Sequence, residues 1–226
     1  MTEQISRRTL LRTAGAAGVI LVAGRLDGGE VLGQSANAEV ALNAWIAIAA
    51  DGTVTLQCAH SEMGQGILTT FAAILADELE ADWTRVKVVF SPAAAPFRHP
   101  VYNWQFTGNA ESIRSYHALL RRMGAAAREM LVAAAAARLK VEPAVLLARE
   151  GVVRHAPSGR SIGYGALAAD AAQLPVPQAP RLKPISGWRL TGGTRALPRI
   201  DVRPRSTARR SMASTSSCPA SCMPRC

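Results

Sequence analysis

The stretch Cys58-Ala59-His60-Ser61-Glu62-Met63-Gly64-Gln65-Gly66-Ile67-Leu68-Thr69-Thr70 decides the fold and points to the function. It follows a run of strand character, Thr53-Val54-Thr55-Leu56-Gln57, and leads into apolar residues at helical spacing, Ile67, Phe71, Ile74, Leu75 and Leu79. The glycines therefore sit where a strand turns into a helix. Gly64 and Gly66 can take backbone angles closed to other residues and let a ligand approach the main chain. The free amides at the head of the helix, its positive dipole end, favour a phosphate or pyrophosphate. Gln65 adds a side-chain amide that both donates and accepts, which suits oxo groups or the edge of a heterocycle. A Gly-x-Gly turn also occurs with no ligand at all. This stretch lacks both the third glycine of a dinucleotide turn and the Gly-Lys-Ser/Thr of a P-loop.

Working outward, Ala44-Trp45-Ile46-Ala47-Ile48 alternates, Asp51-Gly52 is a hairpin signal, and the strand of Thr53 to Cys58 alternates again. After a helix over 67–80, Val86-Lys87-Val88-Val89-Phe90 reads as a third strand, so strand, helix and strand form a crossover unit. The region from Ser91 to Phe106 is irregular, with three prolines and the aromatics Phe97, Tyr102, Trp104 and Phe106. Thr107-Gly108-Asn109-Ala110-Glu111-Ser112 follows at the mouth of another helix, where amides and a hydroxyl can meet a phosphate. Asn109 tolerates positive φ, whereas Glu111 brings a carboxylate close to the proposed anion.

The alanine-rich segment from Ala110 to Leu139 predicts one long helix, with its arginines on a solvated face. Pro143 through Leu147 predicts a short helix, Val152-Val153 and Ile162 a hairpin around Pro157-Ser158-Gly159, and Tyr164 to Ala172 a further helix. Pro175 to Pro184 reads as an extended linker. The expected class is α+β, a small mixed sheet with crossover helices. His60 is read as structural or as a ligand contact, and His99, His117 and His155 form no ligand set. Cys58 reads as core, and Asp77, Glu78, Glu80 and Asp82 as a solvated cluster at a helix end.

Glu62-Met63-Gly64-Gln65-Gly66-Ile67-Leu68-Thr69 followed by Leu75-Ala76-Asp77-Glu78-Leu79 resembles the molybdopterin-contacting loop and helix of the xanthine dehydrogenase/aldehyde oxidase family. More narrowly it resembles the large (beta) subunit of isoquinoline 1-oxidoreductase and related exported aldehyde dehydrogenases. The second loop is similar to that family's Thr-Gly-Gly-Ser loop. The resemblance spans roughly residues 40–202 and implies one half of a molybdopterin-binding domain over 39–174, with 175–202 leading toward a further domain. It implies cofactor contacts at Met63, Gly64, Gln65, Gly66, Thr107, Gly108, Asn109 and Ser112. It further implies a molybdenum-molybdopterin cofactor as a dinucleotide such as the cytosine form, a partner subunit carrying [2Fe-2S], and a cytochrome as electron acceptor. The implied reaction is hydroxylation of N-heteroaromatics or oxidation of aldehydes. The family's catalytic glutamate matches no residue of this chain, so no catalytic residue and no protein metal ligand is assigned. The fragment alone is expected to be inactive. The other reading is a non-enzymatic exported protein whose glycine loops bind a phosphate ligand or serve structure only.

Charge does not point to nucleic acid. Half of the net +10 sits in residues 203–226, which carry five arginines and no acid, while 39–202 hold 17 basic and 13 acidic residues, interspersed. Ser6-Arg7-Arg8-Thr9-Leu10-Leu11, the apolar run from Ala14 to Gly24 and the small-residue site at Ala36-Asn37-Ala38 read as a twin-arginine signal over 1–38. The apolar run is too short for a stable membrane span, so a periplasmic protein exported in the folded state is expected. Past Val202 no hydrophobic period survives, and Cys218, Cys222 and Cys226 match no common zinc spacing, so a disordered tail is expected. Read in a shifted frame from the third base of Pro204, the codons permit Glu-Val-Asp-Gly-Ala-Ala-Lys-Tyr-Gly-Ile-Asp-Val-Val-Leu-Pro-Gly-Ile-Leu-His-Ala-Ala-Val. That phrase resembles the family's continuation into its next domain, so the tail is expected to be a frameshift product. Resequencing the gene checks this: family-like sequence downstream in another frame is expected, and its absence would refute the frameshift.

Overall fold

The computed structural model describes residues 39–192 and 197–201. The twin-arginine segment, the residues at 193–196 and the cysteine-bearing tail lie outside the described residues. Four strands make the first sheet in the order β1 (Glu39–Asn43), β2 (Ile46–Ala49), β3 (Val54–Cys58), β4 (Val86–Phe90). The β2–β3 hairpin is antiparallel, with Ile46 opposite Leu56 and Ile48 opposite Val54. Its turn is closed by the Thr53 amide donating to Asp51 Oδ1 at 2.8 Å. β3 and β4 run parallel through helix α1 (Ile67–Leu79), as the crossover pattern predicts, and this pairing makes the sheet mixed. β1 was not legible in the sequence. It pairs with β2 across an irregularity between Ala41 and Asn43.

The apolar alternation of these strands packs against helices. Ile46, Ile48, Val54 and Leu56 are buried together with Phe71, Leu75 and Leu79 of α1. α1 is buried at every position except Leu68 and Thr70, which makes it the centre of the core. Against it lies α3 (His117–Leu139), whose alanines and Gly124 allow close approach. A Cβ placed on Gly124 would stand 2.6 Å from the Leu75 carbonyl oxygen and 2.9 Å from Glu78 Cβ. α4 (Tyr164–Ala171) completes the layer, with Tyr164 fully buried and its hydroxyl donating to the Leu79 carbonyl at 2.7 Å.

Four expectations are corrected. The long helix is broken: a single turn, α2 (Glu111–Arg114), precedes α3, and Ser115-Tyr116 separate them. The break comes from Tyr116, which is wholly buried and whose hydroxyl bonds to the Phe97 carbonyl at 3.1 Å. The helix read from Pro143 is only a 3-10 turn, Pro143–Val145, followed by β5 (Leu146–Arg149). β5 pairs antiparallel with β6 (Val152–His155) across Glu150 and Gly151, both at positive φ (51° and 74°), and β6 pairs with β7 (Arg160–Gly163). Positive φ at both loop residues belongs to the tight turn whose twist matches a hairpin, and this pairing overrides the local helical preference of Ala144 to Leu147.

Half of the acidic cluster is not solvated. Asp77 and Glu78 are 3% and 1% exposed. Nor are all the arginines of α3 on a solvated face. Glu78 accepts from Arg121 Nε at 2.7 Å, from Arg128 Nη1 at 3.3 Å and from the Lys183 amide at 3.0 Å. Asp77 takes Lys183 Nζ at 3.0 Å and the hydroxyl and amide of Thr191 at 2.7 and 3.0 Å. Burial pushes the Asp77 carboxyl up, but the bonds from Thr191, Lys183 and Arg189 outweigh it and hold the group below the ordinary carboxylate range. Residues 183–191 are thereby bound along α1. Among the described residues no helix is long and apolar enough to cross a membrane.

Gly124→Ala separates propensity from packing. The gain in helix propensity is about 1 kcal/mol, whereas forcing a methyl into backbone contact costs about 1–3 kcal/mol. Net destabilisation is expected, read as a lower denaturation midpoint at unchanged m-value.

Candidate functional site

β3 ends at Cys58, and the loop that follows crosses the carboxyl end of the parallel pair, where crevices of open sheets receive ligands. Gly64 and Gly66 take φ of 98° and 82°, the left-handed conformation for which glycine is needed, and Gly66 caps α1. The amides at the head of α1 are not free as the sequence reading had them. The Gly64 and Gly66 amides both donate to Glu62 Oε1 at 2.9 Å, and the Leu68 amide donates to Glu62 Oε2 at 3.1 Å. A carboxylate of the chain itself thus fills the anion seat, as a helix dipole favours. Burial pushes the Glu62 carboxyl up, but the hydrogen bonds from Gly66, Leu68 and Gly64 dominate and leave it below its ordinary value. Arg199 reaches the same loop, with Nη2 3.3 Å from Glu62 Oε1 and Nη1 donating to the Gly64 carbonyl at 2.8 Å.

Gln65 is folded into the loop. Its Nε2 donates to the Ser61 carbonyl at 2.8 Å, and its Oε1 accepts from the Met63 amide at 2.6 Å. A carboxamide has two donor hydrogens and two acceptor lone pairs, so one donor and one acceptor remain for a ligand. Met63 stands 69% exposed at the tip.

The second loop is stitched to the first. The Ser61 amide donates to Thr107 Oγ1 at 2.9 Å, which leaves the Thr107 hydroxyl proton available. His60 Nδ1 lies 3.1 Å from the Phe106 carbonyl, which can only accept, so Nδ1 carries the proton. Ser112 Oγ lies 3.4 Å from the same nitrogen. His60 is buried, its Nε2 has no hydrogen-bond partner, and burial lowers its pKa. Gly108, Asn109 and Ala110 form the exposed crest, with Asn109 and Ala110 at φ of 53° and 54°. Positive φ is unusual for alanine and marks local backbone strain. Glu111 turns its side chain inward: Oε2 accepts from Ser115 Oγ and lies 4.0 Å from His99 Nε2.

Tyr116 holds both loops from beneath. Its ring packs edge-on to His60 with centroids 4.7 Å apart, and to His99 at 5.6 Å. A cavity of about 240 Å³ opens between the loops, lined by Ser61, Phe90, Ser91, Gln105, Phe106 and Thr107. On the other side of the glycine loop a groove of about 560 Å³ runs past Gln65, Gly66, Thr69, His117, Trp188 and Arg199. Cys58 is buried, and burial pushes its thiol up to about 11, which makes it inert. Among the described residues no three His, Cys, Asp or Glu side chains gather as a metal-ligand set.

Seven of the eight sequence-predicted site residues lie on the two loops, and Ser112 lies on the helical turn α2 that follows the second. Direct contacts link the loops at Ser61, Thr107, His60 and Ser112, while Met63, Gly64, Gln65, Gly108 and Asn109 lie on exposed surface. Sequence reasoning missed Glu62 and Arg199. A carboxylate just ahead of a helix start was the available signal for Glu62. Arg199, 137 residues later, carried none.

Fold and loops together define an α+β unit built on a strand-loop-helix turn. Residues 15–195 match a family model described as molybdopterin cofactor-binding domain. The chain belongs to this molybdopterin cofactor-binding domain family. It is 36% identical over 173 residues to the isoquinoline 1-oxidoreductase subunit beta of Brevundimonas diminuta, an alignment covering 74% of this chain and 22% of that protein. It is 31% identical over 159 residues to a membrane-bound aldehyde dehydrogenase (pyrroloquinoline-quinone) of Gluconacetobacter polyoxogenes, covering 66% and 19%. The chain thus spans about a fifth of the length of these curated relatives. A crystal structure of quinoline 2-oxidoreductase from Pseudomonas putida 86 aligns with a TM-score of 0.41 at 22% identity, over 57% of this chain and 16% of that one.

Thr107→Val removes the acceptor for the Ser61 amide while keeping the shape. The expected result is about 0.5–1.5 kcal/mol lost in stability, with faster hydrogen exchange at Ser61 and unchanged exchange in the β5–β7 sheet.

Proposed function

We propose that the chain is part of the molybdenum-cofactor-binding subunit of an exported molybdenum hydroxylase, which hydroxylates an N-heteroaromatic such as isoquinoline or oxidises an aldehyde. One observation carries the reading: the two loops singled out for cofactor contact are joined at the carboxyl end of the parallel strands by the Ser61–Thr107 and His60–Phe106 bonds. Family membership and the identity to an isoquinoline oxidoreductase subunit support it.

The residues present fit such a cofactor at their outer surface. Gly64 has no atom within 4 Å of where a Cβ would stand, so its backbone is open to a flat ligand. Gln65 keeps one donor and one acceptor, and Thr107 keeps its hydroxyl proton. Met63, Gly108 and Asn109 are exposed beside them and Ser112 is half-buried, while Gly66 is buried and serves by shaping the turn. When bound, a molybdenum-molybdopterin dinucleotide would supply the redox centre. The chain's own residues bind and orient it. In this reading the electrons leave through a small [2Fe-2S] partner subunit toward a cytochrome, and the subunit is exported by the twin-arginine route to the periplasm. Ser6 to Leu11 and the apolar run after them support that address.

A second reading, glycine loops that serve structure only, is favoured by one observation: Glu62 already accepts from the amides of Gly64 in the loop, Gly66 at the cap and Leu68 in the first turn of α1. Molybdenum and pterin analysis separates the two. The chain purified from a host that makes the dinucleotide cofactor is expected to carry both, without substrate-dependent dye reduction. Gly66→Val, which strains the left-handed position, is expected to lower pterin retention about tenfold, the worth of about 1.4 kcal/mol of lost contacts. Absence of both molybdenum and pterin from the purified chain sinks the cofactor reading.

A further inference from the structure

We propose that Glu62 is the positioning residue of the glycine loop: its carboxylate, clamped by Arg199, is a resident anion that holds Gly64–Gln65 in place and closes the head of α1 to phosphate. The inference deepens the cofactor reading, resting on it only for what the loop is held ready to contact. Three backbone donors converge on the Glu62 carboxylate, two of them on the same oxygen, and Arg199 bonds both that oxygen and the Gly64 carbonyl. A phosphate at the head of α1 would have to displace an anion already carrying three amide bonds and a guanidinium. Charge-assisted bonds of this kind are roughly twice as strong as neutral ones. The same bonds fix the loop without a ligand. With Gly64 and Gly66 both anchored through Glu62, the Gln65 carboxamide between them returns to Ser61 and Met63. The loop is therefore pre-organised from within, and a cofactor meets its outer face and not the helix dipole.

The charged and titratable groups facing Glu62 are Arg199 and Asp201 from the 197–201 segment and Cys58 at the end of β3. Arg199 stays charged, the Cys58 thiol stays protonated, and Asp201 is tied to Arg199 by a 2.6 Å bond. Because the Glu62 carboxyl is held low, its three bonds persist above the ordinary carboxylate value and are lost as pH falls through the lowered one.

Amide NMR of the full chain tests the assignment. In the wild-type protein, inorganic phosphate at neutral pH is expected to leave the Gly64, Gly66 and Leu68 amides unmoved. Acidification is expected to move those amides and the Gln65 side-chain NH2 together, with Val153 in the other sheet unaffected. In Glu62→Ala the three amides should exchange roughly tenfold faster, and phosphate should then shift them saturably, refilling the seat. Glu62→Gln, which keeps the shape and loses the charge, should abolish the acid transition, and it serves where Glu62→Ala fails to fold. A phosphate response of those amides in the wild type, or unchanged exchange in Glu62→Ala, overturns the proposal. A chain with the expected NMR behaviour but no pterin retention overturns the cofactor reading alone.

Discussion

The burial of helix α1 on nearly every side is the constraint from which the rest follows. Two consecutive carboxylates, Asp77 and Glu78, come inside with it. Isolated charges in an apolar interior cost several kcal/mol each, so both must be paired and hydrogen-bonded. Glu78 is met by Arg121 and Arg128 of α3, and Asp77 by Lys183 at the end of the proline-rich segment and by Arg189 and Thr191 beyond it. The pairing does more than neutralise charge. It binds α3 and the segment 183–191 to α1, and so brings Trp188 to the wall of the groove beside the glycine loop.

The opposite end of α1 is organised by a different carboxylate under the same physics. Amides at a helix head have no partner within the helix and must find an acceptor. Glu62 supplies one, from four residues before the cap. A helix whose cap and Leu68 amides are held by Glu62 and whose interior charges are paired within the chain is a rigid base. The exposed surface of Met63, Gly64 and Gln65 is presented from it. Tyr116 plays the matching part for the second loop, interrupting a helix-prone run so that its ring lies between His60 and His99.

These arrangements place function on loops held by a buried scaffold. The first loop inherits its position from β3 and α1, the second from the aromatic packing of Trp45, Phe97 and Tyr116. The hydrogen bonds between the loops run through Ser61, His60 and Thr107: His60 is buried and spends its ring proton on the Phe106 carbonyl, while Thr107 keeps its hydroxyl proton.

The sequence alone determined those elements whose signal is local. Alternation in Ile46 to Ile48 and Val54 to Leu56, the 3.6-residue period from Ile67 to Leu79, and glycines at a strand-to-helix junction each need only a few neighbouring residues to be read. The two candidate loops were legible for that reason, as was the α+β class. Tertiary structure alone decided β1, the break at Ser115-Tyr116, the strand β5, the burial of Asp77 and Glu78, and the meeting of Arg199 with Glu62. Each of these depends on partners distant in the chain. The choice between a solvated and a buried carboxylate, or between a helix and a strand edge, is settled by what packs against the segment and not by the segment itself.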